Sequence, residues 1–221
     1  MIAGGALTDH LLAVYCTGRG VEIGPGATPY GRRPGTVMLD RFAERHLRQS
    51  VVDVIGDGRA LPFTDGSLHH VIASHVLEHQ PDVLATLAEW RRVLAAEGAL
   101  VLMLPHLERT LDRDRQPADV SHLVGETGAT QPLHLDDVHW SEFEASLGDH
   151  HYWMDDPRAR LGDGSWNREW IAANQFIHYH AWTQHEMAAI VTQAGFHVAA
   201  VIEELPERPD TFLVIARRSA P

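Results

Sequence analysis

The sequence predicts an α/β protein built on a doubly wound sheet of seven strands, with an antiparallel last strand and an insertion after the fifth strand. Three observations predict it. Short apolar runs occur through the first half of the chain, and several of them end on a glycine or an acid. A strongly periodic helix separates the fourth and fifth of these runs. Two further apolar runs near the C-terminus flank a turn that contains Pro206 and Pro209. Strand and helix in alternation build a parallel sheet through right-handed crossovers.

Each element has its own signal. Residues 8–16 read as a short helix, capped by Thr8 or Asp9, with Leu11, Leu12 and Tyr15 on one face. A strand at about 20–24 runs into Gly24-Pro25-Gly26. Glycines there let the backbone pass close to a ligand, because no Cβ blocks the approach. The next strand, 37–40, ends on Asp40, where an acid is placed to accept hydrogen bonds from both hydroxyls of a ribose. A third run, 51–55, leads into Gly56-Asp57-Gly58. After the Asp65-Gly66 turn comes a strand at 70–74. Val83, Leu84, Leu87, Trp90, Val93 and Leu94 then recur at helical spacing, with Pro81 near the start. The unbroken apolar run 99–104 is a strand buried on both faces.

From 106 to 180 the periodicity is lost. Helices are expected only near 136–147 and 166–175, and Gly162-Asp163-Gly164 marks a break. Order returns with a helix from Gln184 to Ala194, stopped by Gly195, and with strands at 197–202 and 211–216. The chain therefore reads as one domain, 1–221, in which 106–180 is an insertion. An irregular segment of that length inside a compact domain points to function, and ligands of open α/β sheets bind at the carboxyl ends of the strands. The insertion is expected to form the pocket for an acceptor.

Composition sets limits. The chain has 221 residues, 44% hydrophobic and 22% charged, as in ordinary globular proteins. Its formal net charge is −12, and every one of its 18 basic residues is arginine. With no basic run, it is a poor match for nucleic acid or an anionic membrane surface. One cysteine, Cys16, excludes an internal disulfide and a thiolate zinc centre. No apolar stretch approaches the ~20 residues of a membrane span, and the N-terminus lacks the pattern of a signal peptide. The expected location is cytoplasmic. The expected partners are a small-molecule acceptor and, as a possible homodimer, a second copy of the chain.

Taken together, Val21-Glu22-Ile23-Gly24-Pro25-Gly26, Asp40, the run Gly56-Asp57-Gly58-Arg59-Ala60-Leu61-Pro62-Phe63, the run Val71-Ile72-Ala73-Ser74-His75-Val76-Leu77-Glu78-His79, and Trp90-Arg91-Arg92-Val93-Leu94 resemble class I S-adenosylmethionine-dependent methyltransferases. The resemblance covers roughly residues 18 to 105. Three positions depart from it: Thr28 replaces the third glycine, Leu68-His69 the usual Phe-Asp, and Ala96-Glu97-Gly98 the usual Pro-Gly-Gly. The resemblance implies a Rossmann-like sheet and S-adenosylmethionine as cofactor. It implies that Glu22 receives the amino group of the cofactor's methionine part, and that the turn at Gly24 and Gly26 lies against that part. Asp40 would take the ribose diol, Asp57 and Gly58 the adenine edge, and Ser74 and His75 would stand on the cofactor side near the methyl group. His79 resembles a family histidine with a structural role.

The insertion is rich in histidine. Leu104-Pro105-His106, Asp112-Arg113-Asp114-Arg115, His122 and His178-Tyr179-His180-Ala181-Trp182 resemble a subset of methyltransferases from bacterial glycan and natural-product gene clusters. Methyl transfer to a hydroxyl needs in-line geometry and removal of a proton. A histidine can remove it, or a divalent metal can lower the hydroxyl pKa. The catalytic candidates are His106, His122, His139 and His180, expected to share one pocket with Asp112 or Asp114 as orienting carboxylates. Metal candidates are His106, Asp112, Asp114 and His122. His134 is a further insertion histidine, and His150 and His151 read as solvated surface. The function read from the sequence is O-methylation of a sugar or natural-product hydroxyl. Alternatives are N- or C-methylation, another S-adenosylmethionine-using reaction, or a catalytically inactive regulator. A nicotinamide dehydrogenase shares the glycine turn but not the Asp57-Gly58 pair.

Overall fold

The computed structural model describes residues 5–45, 48–127, 137–148 and 153–219. His134, His150 and His151 lie outside the described residues. A first helix, α1 (Ala6–Tyr15), leads to strands β1 (Gly20–Ile23) and β2 (Thr36–Asp40), a short hairpin β3 (Glu44–Arg45) and β4 (Arg48–Gln49), and β5 (Val54–Ile55). The chain continues through β6 (Leu68–Ser74), α2 (Val83–Val93) and β7 (Leu94–Pro105). The insertion contributes α3 (Val120–Glu126), α4 (Asp137–Ser146) and α5 (Arg168–Ala173). The sheet is completed by α6 (Gln184–Gln193), β8 (Phe196–Ile202) and β9 (Thr211–Arg218). The helices expected near 136–147 and 166–175 correspond to α4 and α5.

Seven strands form one sheet in the order β5-β2-β1-β6-β7-β9-β8. Val21 of β1 stands opposite Val37 on one side and Val71 on the other, both in parallel register. β9 is antiparallel to both its neighbours, with Leu102 of β7 opposite Val214. The last strand is thus antiparallel, as the sequence predicts, and it is slotted between β7 and β8.

Two expectations need correction. The run 51–55 yields only a two-residue strand at the sheet edge. The Asp53 carboxylate accepts the Met38 amide at 2.9 Å, so a side chain takes the place of a ladder bond there. Strand–helix alternation also fails on that side, because no helix joins β1 to β2 among the described residues. Residues 24–35 contain Gly24, Pro25, Gly26, Pro29, Gly31, Pro34 and Gly35, the two residue types that disfavour helix most. The loop is held instead from inside. Glu22 accepts the amides of Tyr30 at 3.0 Å and Gly31 at 2.5 Å.

The sheet is covered on both faces. Leu100, Leu102 and Leu104 of β7 pack with Leu87 and Trp90 of α2 and with Ile190 of α6. Their neighbours Val101 and Met103 face the other way, onto Leu12 of α1 and Cys16. The period-two alternation of this strand therefore feeds two cores, as an unbroken apolar run requires. Asp82 caps α2 by accepting the Ala85 amide, and a Thr183–Glu186 capping box starts α6. The insertion has an apolar cluster of its own, which includes Phe143, Trp153, Ile171 and Phe176. Its two ends are tied together beside the sheet, where Leu107 N–H donates to Trp182 O at 2.9 Å and Ala118 N–H to Ala181 O at 3.0 Å. Among the described residues no helix is long and apolar enough to cross a membrane.

Candidate active site

Four parallel strands end at one edge of the sheet, and the chain leaving each of them borders a single cleft of about 330 Å³. Gly24 and Gly26 follow β1, Asp40 ends β2, Gly56-Asp57-Gly58 follow β5, and Ser74-His75 close β6. The two glycines of the first turn are left-handed, with φ of +64° and +57°, which a side chain resists. A Cβ on Gly24 would lie 2.6 Å from Val76 Cγ2, whereas one on Gly26 would meet nothing within 4 Å. The turn therefore needs its first glycine for packing and offers open backbone at its second.

Each remaining residue is held by identifiable bonds. Asp40 Oδ1 accepts the Phe42 amide at 3.0 Å. The Asp57 carboxylate accepts the Arg59 amide at 2.9 Å and its guanidinium at 3.1 and 2.7 Å. That guanidinium is the main reason the Asp57 carboxyl sits below the usual range. Trp90 Nε1–H donates to Gly58 O at 2.8 Å, which anchors the loop on α2. His75 is left-handed, with φ of +52°, and its Nε2 lies 3.0 Å from Thr211 Oγ1 on β9.

Glu22 is the exception among the expected cofactor residues. It is 1% exposed and does not border the cleft, because its carboxylate turns inward to the amides of the following loop. Burial pushes its carboxyl up to about 7, against the lowering effect of those two amides. It shapes the turn instead of facing the cleft.

A second cavity, about 400 Å³, adjoins the first and shares Arg41, His79 and Gln175 with it. Arg59, Arg168, Ala172 and Tyr179 also line it, so the insertion supplies much of its wall. Burial raises the Tyr179 hydroxyl to about 12, with Arg168 and Arg59 pulling the other way. His79, at the junction of the two cavities, places its Nδ1 2.9 Å from Ile177 O. Behind it lies Glu78, fully buried, whose carboxyl is pushed up to about 7 by that burial.

The four histidines expected in one pocket are divided. His122, His139 and His180 converge on Glu126, with Nε2 to carboxylate distances of 2.9, 2.9 and 3.0 Å. Their rings lie 4.9–5.9 Å apart, edge to face. None of them lines either cavity. His106 is elsewhere: its Nε2 lies 3.1 Å from Gln184 Oε1, and its Nδ1 accepts the Glu108 amide at 3.2 Å. Its ring therefore meets the start of α6 at Gln184, and it does not line the cleft. The orienting carboxylates also differ from expectation. Asp112 is buried between His178 Nδ1 at 2.6 Å and Arg115 at 2.9 Å, and Asp114 is exposed. Glu126 had no signal in the sequence beyond its position four residues after His122.

Two groups of side chains among the described residues have metal-ligand chemistry: His122, Glu126, His139 and His180, and Glu78, His79 and His178. In the first group, burial opposes ionisation of Glu126, but hydrogen bonds from His139 and His180 outweigh it and bring its carboxyl down to about 2. A carboxylate depressed in the folded state contributes stability that is present above its ordinary pKa of 4.5 and is lost as pH falls toward 2. His180, held below 6.5 chiefly by burial, acts in the same direction from near neutrality downward. Between pH 4.5 and pH 3 the wild-type melting temperature is therefore expected to fall more steeply than that of Glu126→Gln. Parallel slopes in calorimetric scans would contradict this coupling.

The comparisons with known proteins agree with this architecture. Residues 4–102 match the family described as "Methyltransferase domain". Over 74 residues the chain is 34% identical to ajmaline N-methyltransferase of Rauvolfia serpentina, a stretch covering 34% of this chain and 25% of that protein. The chain thus spans about a quarter of the length of that curated relative. An S-adenosylmethionine-dependent methyltransferase of Mesorhizobium loti superposes with a TM-score of 0.56 at 15% identity, covering 96% of each chain. A Burkholderia thailandensis structure, 1,6-didemethyltoxoflavin-N1-methyltransferase with bound 1,6-didemethyltoxoflavin and S-adenosylhomocysteine, gives 0.55 at 13% identity, covering 97% of this chain and 78% of that one. The class is thereby defined: the chain has the Rossmann-like methyltransferase fold. Its N-terminal part, residues 4–102, carries the methyltransferase-domain match.

Proposed function

We propose that the protein is an S-adenosylmethionine-dependent methyltransferase that methylates a hydroxyl of a small, oxygen-rich molecule, such as a sugar or glycosylated natural product. The observation that carries this reading is the convergence of Gly24, Gly26, Asp40, Asp57, Gly58, Ser74 and His75 on one cleft at the strand ends. The donor set fits the cofactor. Asp40 offers a carboxylate for two ribose hydroxyls, and Asp57 offers one for the adenine amine. The exposed backbone at Gly26 lies where a zwitterionic amino-acid tail needs close approach. When bound, the cofactor supplies an electrophilic methyl group on a cationic sulfur.

The adjoining cavity would take the acceptor. Arg41, Arg59, Arg168 and the Tyr179 hydroxyl line it, a donor-rich wall suited to the oxygens of a polyol. His79 and Gln175 stand between the two cavities, where an attacking hydroxyl must meet the methyl group in line. The catalytic role expected of His106, His122, His139 and His180 passes in this reading to groups at that junction. The insertion 106–180 is then the acceptor side of a single domain spanning 1–221, and the likeness to the bacterial gene-cluster subset belongs to this same reading.

A nitrogen acceptor is the second reading, favoured by the partial identity to an N-methyltransferase. Incubation with methyl-labelled cofactor and a panel of hydroxylated and amine-bearing metabolites separates the two. Label in a hydroxyl product is expected, label in amines alone would favour the second reading, and no transfer to any acceptor would count against both.

A further inference from the structure

We propose that Glu78, His79 and His178 form a binding site for one divalent first-row transition-metal cation, and that this cation activates the acceptor hydroxyl. This rests on the methyltransferase reading of the adjoining cavities. The donor atoms of the three side chains lie within 4.8 Å of one another. That is slightly wider than the ~4.2 Å that two ligands at ~2.1 Å from an ion can span, so a small side-chain adjustment completes the site.

Three features point to a cation. First, Glu78 is 0% exposed, and among the described residues no other residue donates a well-formed hydrogen bond to either carboxylate oxygen. The imidazoles that face it are His75 Nδ1 at 3.4 Å and His79 Nε2 at 3.8 Å, too long to replace the water it has lost. A buried carboxylate left in this condition is costly, and a cation removes that cost. Second, both imidazoles are oriented as metal ligands are. His79 Nδ1 faces Ile177 O at 2.9 Å, with its Nε2 3.8 Å from the Glu78 carboxylate, and His178 Nδ1 faces Asp112 Oδ2 at 2.6 Å. Ligating histidines almost always hold their second nitrogen on a carbonyl or carboxylate. The rings themselves stand edge to face, 4.9 Å apart. Third, two histidines and one carboxylate leave coordination positions open, and His79 borders both cavities.

The group around Glu126 lacks these features. Its carboxylate already meets three imidazole nitrogens at 2.9–3.0 Å, and it stands away from both cavities.

A cation at Glu78, His79 and His178 would bind the acceptor hydroxyl and lower its pKa. The hydroxyl proton leaves to water in the open cleft. An oxygen lone pair then forms the C–O bond, while the electrons of the breaking C–S bond stay on sulfur and leave a neutral thioether. No oxidant or reductant is needed. Asp112, clamped by Arg115, acts on the cation only through His178 and is a positioning residue.

The full chain, stripped with chelator and titrated with Co²⁺, tests the assignment. One equivalent is expected to bind with a visible absorption band. Affinity should fall at least about tenfold in Glu78→Gln and in His178→Asn, and should be unchanged in Glu126→Gln. Crystals of the wild-type chain soaked in Co²⁺ give a readout that does not depend on how the variants fold: an anomalous peak at Glu78, His79 and His178. No binding by the wild-type chain, equal binding by both variants, or a peak only at Glu126 would overturn the proposal. Calorimetry with S-adenosylmethionine on the same samples keeps the two readings apart. Cofactor binding without Co²⁺ binding removes the cation alone, and Co²⁺ binding without cofactor binding removes the methyltransferase reading.

Discussion

Replacing Trp90 with alanine will lower the folding free energy by about 3–5 kcal/mol, the scale for emptying a fully buried large aromatic site. Trp90 is 0% exposed and packs in the core between α2 and the sheet. Its indole N–H also holds Gly58 O at 2.8 Å, so the substitution frees the loop that carries Asp57. Urea unfolding should show the loss directly, and cofactor affinity should fall in protein that still folds. A loss under about 1 kcal/mol would mean that the site collapses around the vacancy or that the indole is not buried as described.

Replacing Asp40 with alanine will weaken S-adenosylmethionine binding by about 1.5–3 kcal/mol, roughly a 10- to 150-fold rise in Kd, the range for losing a charged hydrogen-bond acceptor. Folding stability should change far less, because Asp40 ends its strand at the cleft and, among the described residues, its carboxylate accepts one hydrogen bond, from the nearby Phe42 amide. That separation of binding from stability distinguishes Asp40 from Trp90. Calorimetric titration gives the first quantity and urea unfolding the second. An unchanged Kd would remove Asp40 from the cofactor site.

The sheet was legible because its signals are local. Apolar runs of the right length gave the strands, and the unbroken run at 99–104 gave a strand buried on both faces, with Leu102 and Met103 feeding opposite cores. Most of the cleft was legible for a related reason: Gly24, Asp40, Asp57 and Ser74 each follow or end a parallel strand, so the topology alone brings them to one edge. Glu22 was not legible. It lies within β1, and only the three-dimensional path of the loop decides that its carboxylate turns to Tyr30 and Gly31. The missing helix between β1 and β2 was readable in principle from the seven glycines and prolines of residues 24–35.

The insertion was the least legible part, because its contacts join residues far apart in the chain. His122 meets His180 ring to ring and through Glu126 on α3, and Asp112 meets His178 across 66 positions. The sequence singles out histidines and carboxylates in the insertion but does not show which of them pair. His79 shows the same limit. Its place after the fourth strand suggests a structural residue, whereas its position on both cavities follows from where residues 175–179 return to the sheet.

S-adenosylmethionine is expected to occupy the cleft at the strand ends. Titration of the purified chain with S-adenosylmethionine and, separately, with a nicotinamide dinucleotide tests it most directly. One equivalent of S-adenosylmethionine is expected to bind, with no measurable heat from the dinucleotide. Binding of the dinucleotide with none of S-adenosylmethionine would contradict it.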